Sequence, residues 1–309
     1  TVLRRHPGIA VDRFADHLVL AGFVDCHAHY PQVRVIASYG KQLIDWLNDY
    51  TFPEEMRFAD PAYAREVAEL YLDECFRNGT TTASVYCTVH ARSVEAFFDA
   101  AAARGAAFAA GKVLMDRNAP KGLRDSAQRG YDQSKALIDR LHGKQRFTYV
   151  VSPRFAPTSS PGQLEAAGAL WREHPDTLMQ THVSENRREI AWVGELYPEA
   201  PDYMGVYERH GLVGPGANFG HAIHLTPREI GLFRDSGAAI SHCPTSNTFI
   251  GSGLFDLMGL RAGARPVTVG LATDVGGGSS FSMLATMKAA YEIAQLRGES
   301  LDPVRAFYL

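Results

Sequence analysis

Phe23-Val-Asp-Cys-His-Ala-His29 is the stretch on which the fold turns. An apolar start that runs straight into His-Ala-His reads as a buried strand, because strand side chains alternate between faces. An open doubly wound sheet places a glycine-rich phosphate turn after its first strand, and no such turn follows here. His27 and His29, two residues apart, point to one side, while Cys26 and Ala28 face the other way.

Working outward, short runs rich in Val, Ala, Phe and Thr recur, each followed by a stretch of helical period. Eight strands are expected, near residues 18–26, 80–86, 106–114, 147–152, 177–183, 217–222, 238–242 and 267–273. Asp60-Pro61 starts a helix that stops at Asn78-Gly79, and Thr226-Pro227 starts another that stops near Gly237; both follow cap and breaker chemistry. Eight strand–helix units in series predict an α/β fold, a closed parallel (β/α)8 TIM barrel. Residues 21–309 form the barrel in this reading, and 1–20 are a terminal segment. Gln32 to Asp60, with Trp46, Tyr50 and Phe52, is long for a first connection. It serves either as a lid or substrate wall or as a helix packed outside the barrel.

The 309 residues are 46% hydrophobic and 21% charged, with a net charge of −3. That apolar content excludes a largely disordered chain. Scattered Lys and Arg argue against a nucleic-acid surface. No apolar run reaches the roughly 18 residues of a membrane span. Cys26, Cys75, Cys87 and Cys243 form no CxxC pair, which predicts reduced thiols and a cytoplasmic setting. Cys26 and Cys243 each adjoin a histidine and are expected to point away from it as small buried hydrophobes.

The histidines define the chemistry. His27 and His29 close the first strand, and His182, His221, His242 and Asp274 close the fifth to eighth. All strand C-termini of a barrel meet at one face. Five imidazoles and a carboxylate gathered there are costly as plain packing and economical as a metal site. Three histidines with one aspartate suit zinc, with an open position for water. Glu185, three residues after His182, lies on the turn above the strand, where a carboxylate can take a proton from water and return it to a leaving group. The alternative is a solvated glutamate at a helix start. Gly276 to Gly278 lack the lysine of a phosphate loop and are read as sites of close backbone approach to a ligand.

Gly22-Phe-Val-Asp-Cys-His-Ala-His29, His182-Val-Ser-Glu185, Gly220-His-Ala-Ile-His-Leu225, Ser241-His-Cys-Pro-Thr-Ser-Asn247 and Ala272-Thr-Asp274 resemble the motifs of the amidohydrolase superfamily, in its deaminase and chlorohydrolase branch. Tyr30-Pro31-Gln32, Ser152-Pro-Arg-Phe155 and Asp274-Val-Gly-Gly-Gly-Ser-Ser-Phe-Ser-Met-Leu284 resemble its guanine-deaminating members. The resemblance implies hydrolysis of guanine to xanthine and ammonia with one zinc per chain, iron remaining open. It implies His27, His29, His182 and Asp274 as metal ligands, with Glu185, Asp274 and His221 catalytic. It also implies Gln32, Arg154 and Phe155 as purine contacts, with His29 and His182 bordering the substrate. His224 and His242 belong to the motifs without a direct role. The expected partner is a small-molecule purine, with no nucleic acid or membrane, and the assembly a homodimer. Such proteins add a small terminal β-sandwich, which this chain is expected to lack for the most part. Other aminated heterocycles (a pterin, a triazine, an adenosine-type compound) and a non-catalytic barrel scaffold stay open. For Arg154, so does a salt bridge across strand ends.

Overall fold

The computed structural model describes residues 2–39 and 42–309. The strands are β1 (Phe23–His29), β2 (Thr80–Tyr86), β3 (Ala109–Gly111), β4 (Val113–Leu114), β5 (Thr148–Pro153), β6 (Leu178–Val183), β7 (Ala217–His221), β8 (Ala239–His242) and β9 (Thr268–Leu271). Every pairing is parallel, in the order β1-β2-β3-β5-β6-β7-β8-β9, with β4 beside β5. The ring closes just past β9. There Asp274 N donates to His27 O at 2.9 Å and His29 N to Val275 O at 2.6 Å. The Asp25 carboxylate reinforces the seam by accepting from Thr273 N at 3.0 Å and from the Thr273 hydroxyl.

Two expectations shift. The first strand starts at Phe23, not 18: Leu18, Val19 and Leu20 are apolar enough to read as strand but are exposed and outside the sheet. The third strand is split at Lys112, whose N–H donates to the Tyr149 hydroxyl at 3.3 Å instead of the ladder. The Lys112 side chain is fully buried on Asp125.

Local chemistry places the helices as expected. Asp60 accepts from Ala62 N at 2.9 Å to start Pro61–Arg77. Thr226 and Glu229 form a reciprocal capping box before Pro227–Ser236, and Gly237, at φ +74°, ends that helix in the left-handed region, which costs glycine nothing. Tyr71, Leu72 and Cys75 turn inward from the first of these helices onto Phe97 and Phe108. The described helices include none long and apolar enough to cross a membrane.

Residues 30–39 and 42–60 form a folded wall. A 3₁₀ turn (Tyr30–Val35) is followed by short helices at Leu43–Trp46 and Phe52–Met56, with a wide turn between them. Val35, Leu43, Trp46, Leu47 and Phe52 form a second core with Tyr86, Phe155 and Ile250. Burying an aromatic of this kind contributes roughly 1.5–3 kcal/mol, so the wall is anchored to the barrel mouth. Of the two uses open to this segment, the structure favours the wall: Leu43, Trp46 and Leu47 line the cavity described next.

Candidate active site

The C-terminal mouth of the barrel opens on a cavity. His29, His182, Glu185, His221 and Asp274 line it together with Gln32, Arg154, Phe155 and Trp46. The cavity therefore gathers eight of the nine residues singled out from the sequence; His27 sits beneath its floor, fully buried.

His29 Nε2 lies 3.2 Å from both His27 Nε2 and His182 Nε2. Asp274 Oδ1 is 3.4 Å from the Nε2 atoms of His27 and His29. His182 Nδ1 donates to the Arg154 carbonyl at 2.6 Å, so in the neutral ring its Nε2 holds a lone pair. Burial pushes the pKa of His27, His29 and His182 down, and the neighbouring charges of His27 and Arg154 push His29 and His182 lower still. Neutral imidazole nitrogens gathered this closely around an aspartate oxygen form a donor set suited to a cation. A tetrahedral ion with bonds of about 2.0–2.1 Å sets its ligand atoms roughly 3.3–3.4 Å apart, so the donor set fits one.

Packing orients the rings. His27 and His29 Nδ1 have no partner among the described residues, unlike most ligand histidines. Instead the Tyr86 ring stacks on His29 at 4.5 Å and lies 4.9 Å from both His27 and His182. Gly220 makes room: a Cβ there would sit 2.6 Å from the His27 ring.

Two expectations are corrected. His242 does not join the cluster, so four histidines converge, not five. Its ring stacks on Phe255 at 4.4 Å, with both nitrogens unpartnered among the described residues. Cys243 does turn inward, with Sγ within 4.8 Å of the ligand atoms of His27, His221 and Asp274. β8 ends at His242, so strand alternation no longer governs the next residue. Burial pushes the Cys243 thiol well up and it donates to Ser241 O at 3.5 Å, an environment that disfavours the thiolate a metal would need. The glycines after Asp274 serve backbone packing as well as the cavity: a Cβ on Gly276 would fall 2.3 Å from Gln32 O, and Gly277 lines the space itself.

Glu185 is buried, its Oε2 is 3.5 Å from His221 Nε2, and Ser252 Oγ donates to its Oε1 at 2.9 Å. Burial raises its pKa to about 7, more than the charge of His221 lowers it. Asp274 goes the other way. Burial raises it, but the His27 hydrogen bond and the charges of His27 and His221 outweigh that, leaving it at about 2. Two carboxylates in one cavity are thus driven apart, one a stable anion and one poised to exchange protons. His221 Nδ1 donates to Asn247 Oδ1 at 2.9 Å. That aims its Nε2 at Glu185 and at Asp274 Oδ2, 3.8 Å away.

Sequence reasoning missed the supporting residues. Glu189 accepts from the backbone N–H groups of Glu185 and Asn186, both at 3.0 Å, and so holds the Glu185 turn. The S/T/N-x-x-E pattern of Asn186 to Glu189 is a readable capping box. His224 Nε2 donates to the Ser252 carbonyl at 2.8 Å and fixes that loop. Arg154 does form a salt bridge, to the buried Glu55 at 2.7 Å, while still lining the cavity.

A (β/α)8 barrel whose mouth converges three strand-end histidines, an aspartate and a buried glutamate has the architecture of a metal-dependent hydrolase. The Amidohydrolase family profile matches residues 18–309, and the chain belongs to that family. Within it, the chain is 47% identical over 301 residues to guanine deaminase of Escherichia coli K12, covering 97% of this chain and 68% of that one. The guanine deaminase structure from Bradyrhizobium japonicum superposes with a TM-score of 0.94 at 38% identity, over 99% of this chain and 68% of that one. That of C. acetobutylicum, with guanine bound in its active site, gives 0.88 at 30% identity, over 93% and 70%. The chain thus spans about two thirds of the length of these relatives.

Proposed function

We propose that this chain is a zinc-dependent hydrolase that deaminates guanine to xanthine and ammonia. One observation carries the reading: a single cavity brings together members of the histidine–aspartate donor set, Glu185 and the planar hydrogen-bonding groups of Gln32 and Arg154. The similarity to enzymes named guanine deaminase supports the choice of substrate.

His27, His29, His182 and Asp274 would hold the ion; zinc, when bound, supplies Lewis-acid polarisation and brings the pKa of water toward about 7. Glu185 accepts the proton of the water that attacks the carbon bearing the exocyclic amine. It then passes that proton to the ring nitrogen, takes the proton of the newly formed hydroxyl and delivers it to the amine, so that the carbonyl forms as the C–N bond breaks and ammonia leaves. A pKa of about 7 lets one carboxyl do both. Asp274 stays ionised and is a second acceptor beside the water. His221 Nε2, aimed by Asn247, stabilises both carboxylates. Arg154 offers Nε and Nη2, which have no protein partner among the described residues, to the purine carbonyl. Gln32 both donates and accepts, and Phe155 and Trp46 supply apolar faces.

The test is ammonia release from guanine beside adenine, cytosine, a pterin, a triazine and adenosine, with elemental analysis of protein purified without added metal. Guanine turned over fastest, with about one zinc per chain, is the expected result; faster turnover of another heterocycle would move the substrate assignment and leave the fold reading intact. The setting we propose is a cytoplasmic homodimer, supported by the four free cysteines and the family resemblance; light scattering of the purified protein decides the assembly.

A further inference from the structure

We infer that Glu55 is the positioning residue of the heterocycle end of the cavity, cancelling the charge of Arg154 and fixing Gln32 so that the pocket selects neutral over anionic purines. The inference rests on the proposed function for its choice of ligand. Glu55 sits on the helix Phe52–Met56 in the wall and is fully buried. Its Oε1 accepts from Gln32 Nε2 at 3.0 Å and from Arg154 Nη1 at 2.9 Å, and its Oε2 accepts from the same Nη1 at 2.7 Å. The carboxylate lies behind the cavity, whose surface shows Gln32 and Arg154 instead. It therefore acts through those two side chains.

The contacts leave little freedom. Gln32 Oε1 also accepts from Gly276 N at 3.3 Å, so both ends of the amide are engaged and its donor and acceptor directions are set. Among the described residues Arg154 bonds Glu55 through Nη1 alone, and it lines the cavity with its other donors uncommitted. The arginine is itself buried and is charged at any working pH. Without Glu55 it would be a lone buried cation, and an anion entering the cavity would be drawn to it. With Glu55 in place, the donors remain and the net charge at that end vanishes. The site then offers hydrogen bonds to a neutral carbonyl without an electrostatic preference for an ionised ring. The neighbouring Glu54 is engaged elsewhere, with Arg57 at 3.0 Å and with the Tyr63 hydroxyl, and makes a control.

The experiment uses the metal-loaded enzyme. Glu55→Gln, Glu55→Asp and Glu54→Gln are compared for kcat and KM on guanine. Calorimetry then reports the binding of neutral hypoxanthine and of xanthine at a pH where it has lost a proton. For Glu55→Gln, KM is expected to rise about tenfold, the scale of one charge-assisted hydrogen bond, with kcat moving less. Hypoxanthine weakens, the xanthine anion tightens, and Glu54→Gln behaves as wild type. A KM within about twofold of wild type would overturn the inference, because even a neutral hydrogen bond is worth more than that. So would a parallel loss of both purines, the mark of a merely structural role. If Glu55→Gln does not fold, Glu55→Asp decides. It keeps the charge and shortens the reach to Gln32, so KM rises while the neutral-over-anion ratio stays at the wild-type value; a gain in anion affinity would overturn the inference. Binding needs no turnover, so a wild type that leaves guanine intact defeats the proposed function alone.

Discussion

The cavity's two sets of lining residues, a donor side and a heterocycle side by their chemistry, are built differently. The donor side hangs on and just past strand ends. Ladder register places His29, His182 and His221. His27 sits in the irregular stretch of β1 between Asp25 and Ala28, and Asp274, past the end of β9, is held by its N–H on His27 O at 2.9 Å. The heterocycle side is assembled from a loop-borne wall that meets the barrel through side chains, with Glu55 joining Gln32 to Arg154. The donor side also stores backbone strain: Ser184, His221, Ala222 and Asp274 have φ of 48°, 70°, 47° and 49°. Each costs on the order of 1–3 kcal/mol and persists only where the surroundings dictate it. The wall side shows no such clustering of left-handed residues among those described; Ala37 alone, at φ 57°, is of this kind. Rigid scaffold geometry thus serves the ion and the proton, and a packed, side-chain-bonded wall serves ligand choice.

That division can be broken most severely at the donor side. His29→Ala removes the central nitrogen of the three. The expected result is an enzyme without bound metal and without measurable activity, its thermal stability no longer raised by added zinc, since a ligand stabilises only the state that binds it. Retention of about one equivalent of metal would show that the donor set is not the one assigned here.

Glu185→Gln separates the proton from the metal. Metal content should stay at the wild-type level while kcat falls about 10²–10⁴-fold, the range of general acid–base catalysis. A variant within about tenfold of wild type would place the base elsewhere.

On the wall side, Arg154→Lys preserves charge and loses the planar fork. Turnover of guanine should fall about tenfold to a hundredfold, the worth of one or two charge-assisted hydrogen bonds. Zinc should remain bound, because the substitution keeps both the positive charge felt by His29 and His182 and the main-chain carbonyl that accepts from His182 Nδ1. Loss of metal in this variant would mean that the two sides are not separable.

The same contrast explains what could be seen in the chain beforehand. Strand-end histidines announce themselves, since HxH obeys the two-residue period and caps such as Asp60-Pro61 carry their own chemistry. Seven of the eight strand positions could be placed to within two or three residues. The first failed at its start, because Leu18 to Leu20 are apolar without being buried. Strand-end position misplaced His242, and alternation misplaced Cys243, which lies one residue past the end of β8. Glu55 left no local mark: it lies in Pro53-Glu-Glu-Met56, on a short helix, next to a second glutamate with a different task. Its partners are 23 and 99 residues away, and only the folded wall brings them together.

The gentlest test lies on the donor side but depends on a loop, as the wall does. Ser252 Oγ donates to Glu185 Oε1 at 2.9 Å, and the loop bearing it is fixed by His224. A hydrogen bond to a carboxylate favours the charged form and lowers its pKa. Ser252→Ala removes that bond, so the Glu185 pKa, already raised to about 7 by burial, should rise further. Glu185 must be ionised to accept a proton, so the acid limb of the kcat/KM profile should move to higher pH. The loss at neutral pH should be about threefold to tenfold, the equivalent of one net hydrogen bond, and should shrink as pH is raised past the shifted limb. A loss that stays constant across the profile would mean that Ser252 holds Glu185 in place without tuning its proton affinity. A limb displaced to lower pH would contradict the contact itself.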